Sequence, residues 1–220
     1  MYIEFEGAEG AYKSTIIDKV MAKLNEKAIP CENVRQPGGT EYAELFREIL
    51  KYGVKGINEE LTPESMLHLA LAARSQLMLY VVKPLLEKGV VTLSDRGNLS
   101  SIALQGFGSN VNLDLIESSI KNSEDIIKSD LMFYIDISLE TSLQRQGKRG
   151  TTDKIEDLGD DFQSRALEGM RTYSNDNVYT HSRIDISGYK DSGEEKTSTE
   201  LAEEISKIII ERYDQRQANS

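Results

Sequence analysis

Short apolar runs alternate along the chain with longer stretches in which apolar residues recur every three or four positions. The short runs predict β-strands, and VVTLS at 90–94 is apolar enough to be buried on both faces of a parallel sheet. Strands are expected at 2–6, 33–35, 90–94, 131–135 and 183–186. The periodic stretches predict amphipathic helices. These are expected at 14–28, 41–51, 62–86, 113–128, 139–146, 162–173 and 199–213.

The order of these elements predicts the fold class. Strands that alternate with helices indicate an α/β domain of three layers, built on a parallel sheet of about five strands. The longest helix is expected to begin with Thr62 as N-cap and Pro63 at its first position, and to bend near Pro84. The polar, glycine-punctuated segment 147–161 is expected to be a mobile loop. No repeat or low-complexity linker divides the sequence, so a single domain over 1–220 is expected.

Composition narrows the class of protein. Hydrophobic residues make up 39% and charged residues 29% of the 220 positions, as in ordinary globular proteins. The net charge of −11 argues against a nucleic-acid polymer as the main partner, because such binders usually carry a basic face. Small anionic ligands remain compatible, since a few local Arg and Lys side chains can hold a phosphate.

The cysteine count, the N-terminal sequence and the length of the apolar runs bear on the cellular location. The one cysteine, Cys31, cannot form an intrachain disulfide, and MYIEFEG is charged too early for a signal peptide. No apolar run approaches the ~20 residues of a membrane span. A cytoplasmic protein without a membrane partner is expected.

The clearest chemical motif is GAEGAYKST at 7–15, which follows the first predicted strand. The phosphate-binding P-loop reads G-x-x-x-x-G-K-[ST]; Gly7 opens it and Lys13-Ser14 close it, but Tyr12 stands in place of the last glycine. Its position between a strand and a helix favours a P-loop over a chance glycine-rich turn, because a helix N-terminus offers free N–H groups and partial positive charge. Tyr12 is compatible with this function only if its backbone angles are ordinary and its ring points away from the nucleotide.

Seven segments, the P-loop included, match one family in order. They are EGAEGA-KST (6–15), RQPGGT (35–40), AARSQ (72–76), SDR (94–96), SSIALQG (100–106), DKIE (153–156) and IDIS (184–187). Each is weak alone, but their common order is specific. From residue 2 to about 187 the chain resembles the thymidylate kinases, which transfer the γ-phosphoryl group of ATP to dTMP.

The resemblance implies a donor site. It assigns ATP binding to Gly7, Ala8, Glu9, Gly10, Ala11, Tyr12, Lys13, Ser14, Thr15, Arg145 and Asp185. It assigns catalysis to Lys13, Asp95, Arg96, Arg145 and Arg149, and Mg²⁺ to Ser14 and Asp95. Some members carry a P-loop arginine where this chain has Gly10. Members without it bring the catalytic arginine from the lid, here 147–161, so Lys148-Arg149 or Arg145 would serve; alternatively, Arg145 would stack on adenine.

The resemblance also implies an acceptor site. Its residues are Glu9, Arg35, Pro37, Leu45, Ala70, Arg74, Arg96, Ser100, Ser101, Leu104 and Gln105. Arg35 and Arg96 would hold the acceptor phosphate, Glu9 would contact the 3′-hydroxyl, and Arg74 would hydrogen-bond thymine.

Several positions depart from the family pattern. Ala70 replaces an aromatic ring that stacks on the base, Leu104 replaces one that packs on the sugar, and Gly97 replaces a larger side chain. Gln36 stands where the family has glutamate, which favours a simple tight turn for RQPGGT.

These departures leave three interpretations open. The pocket is wider and accepts a modified pyrimidine or a purine; or another aromatic residue fills the space; or the enzyme is a slacker thymidylate kinase. The candidate aromatic residues are Phe46, Tyr42, Phe107 and Tyr80. The expected acceptor is dTMP.

Two competing hypotheses concern the protein as a whole. Tyr12 and the missing rings favour a catalytically inactive nucleotide-binding homologue, whereas the retained charged residues favour an enzyme. A kinase for another small acceptor is opposed by AARSQ and PGGT. The family further implies a homodimer, which the apolar stretch 66–86 permits, and Glu194-Glu195 are expected to form a solvated face.

Overall fold

Five parallel strands form the centre of the fold. The computed structural model describes residues 1–122, 127–147, 154–155, 158–173 and 182–219. The strands are β1 (Tyr2–Glu6), β2 (Cys31–Arg35), β3 (Val91–Asp95), β4 (Leu131–Asp136) and β5 (Arg183–Ser187), in the order β2-β3-β1-β4-β5. Every ladder between them is parallel, so their carboxyl ends share one edge of the sheet. The predicted α/β class and parallel sheet are confirmed.

Helices cover both faces of this sheet. They are α1 (Lys13–Glu26), α2 (Glu41–Tyr52), α3 (Pro63–Leu77), α4 (Lys83–Glu87), α5 (Asn98–Ser101), α6 (Leu113–Asn122), α7 (Leu139–Gly147), α8 (Asp160–Thr172) and α9 (Ser198–Ala218). Two π-helical segments, Met78–Val82 and Ile102–Gly108, continue α3 and α5.

The sheet separates two apolar clusters, because neighbouring strand residues point to opposite faces. In β4, Phe133 belongs to the cluster that includes Val20 of α1 and Ile205 of α9. Met132 belongs to the cluster on the other side, with Leu67 of α3. The result is the predicted three-layer arrangement.

The helix from Pro63 to Glu87 begins as predicted, with the Thr62 hydroxyl accepting a bond from the Ser65 N–H at 3.2 Å. Before Pro84, which has no N–H to donate, the backbone widens into π-helical turns. Contrary to the sequence expectation, this 25-residue helix is long and apolar enough to span a membrane by length and composition alone, since an 18-residue stretch of it has a mean hydropathy of 1.3. In the fold, Leu67 and Leu77 are fully buried in the core clusters.

Several helices differ from the predictions. Helix α6 ends at Asn122, and residues 127–128 are not helical, so the expected helix to 128 is too long. Helix α8 already begins at Asp160, inside the expected loop, of which 148–153 and 156–157 lie outside the described residues. The helical segment at 98–108 was not predicted.

Candidate active site

A cavity of about 730 Å³ lies at the carboxyl edge of the sheet, within the usual size range of ligand sites. The structure brings most of the predicted site residues to its walls. These are Ala8, Glu9, Gly10, Tyr12, Lys13, Ser14, Thr15, Arg35, Pro37, Ala70, Arg74, Asp95, Arg96, Ser100, Ser101, Leu104, Gln105 and Arg145.

A few predicted residues do not line the cavity. Gly7 and Ala11 belong to the loop but lie beneath its surface, and Leu45 is a half-exposed residue of α2. Asp185 pairs with Arg183 at 2.6 Å on β5, outside the cavity walls. Arg149, the lid candidate, lies outside the described residues.

The loop 7–12 is closed by its own lysine. Lys13 Nζ donates to the carbonyl oxygens of Gly7 at 3.0 Å and Ala8 at 2.9 Å. Burial, followed by the positive charge of Arg96, lowers the pKa of Lys13 to about 8. A Cβ on Gly7 would lie 2.6 Å from the Ile135 oxygen, so this position must be glycine. The loop therefore presents a buried cation at the first strand–helix junction, as a P-loop requires.

Tyr12 adopts the left-handed conformation, with φ 61° and ψ 20°, as the N-cap of α1. The condition of ordinary backbone angles that the sequence analysis set is therefore not met: the chain keeps the glycine-like turn of a P-loop despite the side chain. The ring packs against α7, where the Arg145 guanidinium carbon lies 3.9 Å from the ring centroid.

Arg145 is held from three sides. Besides the Tyr12 ring, its guanidinium donates to the Gly10 oxygen at 2.7 Å and to Glu195 Oε2 at 2.8 Å. A Cβ on Gly10 would come within 3.0 Å of the Arg145 Cβ, at a residue whose φ is +78°. An arginine at position 10 would therefore crowd Arg145, which accounts for the glycine.

Glu195 is more than the solvated residue that the sequence suggested. An isolated bridge between Tyr189 and Glu195 folds the segment back on α7, where Glu195 Oε1 accepts from the Thr141 hydroxyl at 2.9 Å. Together with the Arg145 bond, this contact places Glu195 in the cavity wall. No local pattern announces it, because the partners are about fifty residues away.

The hydroxyl of Ser14 donates to Asp95 Oδ2 at 2.6 Å. Ser14 lies in the first turn of α1, which follows β1, and Asp95 ends the neighbouring strand β3, so the two oxygens come together. Mg²⁺ prefers oxygen ligands and commonly uses one or two protein groups, several waters and substrate phosphates. No group of three or more acidic, His or Cys side chains in the described ranges is arranged to hold a metal ion, and the Ser14–Asp95 pair fits such a lightly ligated ion.

Arg96 follows the strand end in a left-handed conformation, with φ 77°. Its guanidinium donates to Glu9 Oε2 at 2.5 Å and to the Ser100 hydroxyl at 3.2 Å. Its own N–H remains bonded to the Phe5 oxygen, which fixes the backbone. A strained residue that is tied on both sides is typical of a functional site.

Arg74 is almost completely buried in the floor of the cavity. Nε donates to Gln36 Oε1 at 2.5 Å, and Nη2 donates to the Gly97 oxygen at 2.8 Å and the Ser101 hydroxyl at 3.1 Å. Nη1 is buried and has no hydrogen-bond partner within the described part of the chain. Gln36 is thus a support of Arg74, and the interpretation of RQPGGT as a simple turn was wrong.

None of the four candidate aromatic residues fills the acceptor space. Tyr42 and Tyr80 are about two-thirds exposed, Phe46 stacks on Tyr42, and Phe107 packs on Gly169. Among the described residues, the aromatic lining is confined to Tyr12. The apolar walls consist of Leu50, Ala70, Leu104, Leu139, Ile155, Ala166, Leu167 and Met170.

Arg47 is a cavity residue that the sequence analysis missed. It donates to the Pro37 oxygen at 2.9 Å from α2, beside Arg35, which pairs with Glu44 at 2.8 Å. The sequence contained a signal for this position. Glu44 and Arg47 are three residues apart and therefore share one face of the predicted helix, so both would point in the same direction.

Known proteins are similar to the chain over most of its length. The family model described as thymidylate kinase matches residues 5–188. A thymidylate kinase of Pseudoalteromonas translucida is 39% identical over 175 residues, covering 80% of this chain and 83% of that protein. Those of Fervidobacterium nodosum and Thermosipho melanesiensis are 36% and 38% identical, covering 74% and 78% of this chain and 79% and 81% of theirs. The chain belongs to the thymidylate kinase family.

Proposed function

We propose that this chain is a phosphotransferase that converts dTMP and ATP into dTDP and ADP. One observation carries the proposal: a P-loop lysine, a serine–aspartate pair and five arginines share one cavity at the carboxyl edge of the sheet. An inactive homologue has no need for this combination. Retention of the whole set supports an enzyme.

The donor end is built around the P-loop. Lys13 reaches the terminal phosphates of ATP, and backbone N–H groups at the start of α1 face them. Arg145 lies at the edge of the same loop, held by Tyr12 and Glu195. This placement suits contact with the adenosine end of ATP, whereas the lid residue Arg149 remains the candidate for the migrating phosphoryl group.

The acceptor end uses the arginines after β2 and β3. Arg35 and Arg96 hold the dTMP phosphate, Glu9 contacts the 3′-hydroxyl, and Arg74 reads the base. A phosphate oxygen of dTMP then attacks the γ-phosphorus, the bond from that phosphorus to the β,γ-bridging oxygen breaks, and ADP leaves. Positioning and positive charge are what such a transfer requires of a protein.

The proposed cofactor is Mg²⁺, held by Ser14 and Asp95. When bound, it neutralises charge on the ATP phosphates. Ser14 and Asp95 keep their oxygens together at this end of the cavity. Lys13 supplies a buried positive charge near Asp95.

A second acceptor class is favoured by the wall composition. With Ala70 and Leu104 in its wall, the acceptor end of the cavity has no aromatic ring among the described residues. Stacking on such a ring typically contributes about 1–3 kcal/mol per base. A 5-substituted dUMP or a purine deoxynucleotide would gain room there. Such an acceptor would use the same phosphate-binding arginines.

A homodimer and a cytoplasmic location are also proposed. Leu79 and Tyr80, in the π-helical segment after α3, are 42% and 65% exposed, and this part of the helix offers apolar surface to a second copy. Sedimentation equilibrium, which gives the mass in solution, would show twice the mass of the chain.

The decisive test measures ADP release with ATP and Mg²⁺ across dTMP, dUMP, 5-substituted dUMPs, dCMP, dGMP, dAMP and their ribose forms. Lys13→Met should abolish turnover, while Lys207→Met, the same change at an exposed lysine, should leave it intact. A strong response to dTMP supports the proposal, and a stronger response to another base selects the second class. No response to any acceptor, with ATP still bound, refutes the enzyme.

A further inference from the structure

Glu4 is an acid buried in the central strand of the sheet, with 1% of its surface exposed. Its carboxyl oxygens accept from the Tyr2 hydroxyl at 3.1 Å and from the Ser129 hydroxyl at 3.2 Å. It touches neither the P-loop lysine nor the serine–aspartate pair by hydrogen bond or ion pair in the described structure. The proposed transfer gives it no role.

Glu4 occupies the space of a side chain at position 97. A Cβ built on Gly97 would lie 2.2–2.5 Å from the carboxyl atoms of Glu4. The φ of Gly97 is −161°, which any residue adopts, so the need for glycine is steric. Loss of the larger family residue at 97 therefore does not widen the cavity, because Glu4 fills the volume from the adjacent strand.

A continuous hydrogen-bonded chain joins Glu4 to Arg74. Tyr2 bonds Glu4 and accepts from Gln36 Nε2 at 2.7 Å, and Gln36 Oε1 accepts from Arg74 Nε at 2.5 Å. The carbonyl of Gly97 holds the other end of the same guanidinium at 2.8 Å. Both members of the Glu4–Gly97 pair thus act on the orientation of Arg74.

We propose that Glu4 and Gly97 are a matched pair of positioning residues that fixes Arg74 and thereby sets the affinity for the acceptor base. This inference rests on the proposed function. Glu4 holds Arg74 in its base-reading position while its carboxyl group is neutral, and releases it when the carboxyl ionises.

The groups around Glu4 explain why the position of Arg74 depends on the ionisation of Glu4. Tyr2 and Glu6 face it from β1, Arg74 faces it from α3, and Ser129 faces it from the segment before β4. Burial, reinforced by Glu6, raises the pKa of Glu4 to about 8. Below that pKa the neutral form of the carboxyl group prevails.

Ionisation would place a negative charge beside a guanidinium whose Nη1 already lacks a partner in the described structure. Arg74 would then turn towards Glu4, because a buried ion pair with hydrogen bonds is preferred to an unpaired buried charge. Its bonds to Gln36, Gly97 and Ser101 would be weakened, and with them the contact to the base.

The test compares the KM for dTMP and kcat from pH 7 to 9 in wild type and Glu4→Gln, at saturating ATP. If only the form with neutral Glu4 binds dTMP well, the wild-type KM rises about tenfold over this range, as a single ionisation near pH 8 requires. In Glu4→Gln, which cannot ionise, the KM stays nearly flat, while kcat follows the same profile in both proteins. A flat wild-type KM, or an equal rise in Glu4→Gln, overturns the proposal.

A second pair of variants tests the steric match even if Glu4→Gln does not fold. Gly97→Ala alone should raise the KM for dTMP, and Glu4→Ala in the same chain should restore it towards the value of Glu4→Ala alone. Equal damage by Gly97→Ala in both backgrounds overturns the match. If wild type does not turn over dTMP, the proposed function fails, and calorimetric binding of dTMP across the same pH range decides the role of Glu4; no binding at any pH overturns both.

Discussion

Replacement of Tyr12 separates two effects that the structure places at one residue. Its backbone is left-handed, which costs a non-glycine residue about 1–2 kcal/mol. Its ring stacks on Arg145 while remaining 42% exposed, and such cation–π contacts contribute about 0.5–1 kcal/mol. Tyr12→Gly relieves the first and loses the second, whereas Tyr12→Ala keeps the strain and loses the stack.

The two variants should therefore differ in stability. Glycine also makes the unfolded chain more flexible, which offsets roughly 0.4–1 kcal/mol of the relief. Tyr12→Gly should then lie within about 1 kcal/mol of wild type, and Tyr12→Ala about 1 kcal/mol below Tyr12→Gly. For a chain of this size that gap corresponds to about 2–4 °C in Tm.

Urea unfolding followed by circular dichroism measures these differences, with Tyr12→Phe as the control that keeps both ring and backbone. An alanine variant as stable as the glycine variant would show that the strain of the left-handed turn is no larger than the roughly 0.4–1 kcal/mol that glycine loses through the unfolded chain. Turnover of Tyr12→Gly should be unchanged or higher, since the ring packs on α7. A large loss of kcat would instead mean that catalysis depends on the ring to hold Arg145.

Two further changes test the two ends of the cavity. Ala70→Phe should lower the KM for dTMP about fivefold or more if a stacking ring is missing, since stacking typically contributes at least about 1 kcal/mol; an unchanged or higher KM means that the aliphatic walls already fit the base. Ser14→Ala should raise the Mg²⁺ concentration for half-maximal activity at least about tenfold, because even residues that only support metal ligands have effects of that size. Ser14→Thr keeps the hydroxyl and should leave that concentration unchanged, so equal responses of the two variants would remove Ser14 from the proposed Mg²⁺ site.

Strands β3 and β4 could be predicted closely because each is a short and largely apolar buried run. The segment 98–108 could not. Gly106 and Gly108 suggest a loop, yet both lie in a helical segment where a Cβ would collide with Leu113 and Phe162 respectively. Their smallness serves packing between elements, and that requirement cannot be seen from neighbouring residues.

The same limit applies to the site. Lys13 and Asp95 could be placed because a P-loop and a strand end are local patterns. The roles of Gly97 and Glu195 depend on Glu4 and on α7, which are far away in sequence. At Gly97, a substitution that looks like an enlarged pocket is therefore compensated by the side chain of Glu4 on β1, which fills the same volume.

The bonds from Lys13 to the Gly7 and Ala8 carbonyls have a consequence for the affinity for ATP. Ordering a backbone residue costs roughly 1–2 kcal/mol of conformational entropy, and a loop that became ordered only with its ligand would lose that amount from its affinity. Here the lysine fixes the conformation of the loop as part of the folded protein. The conformational entropy of the loop is lost when the chain folds, so the binding of ATP does not have to order it.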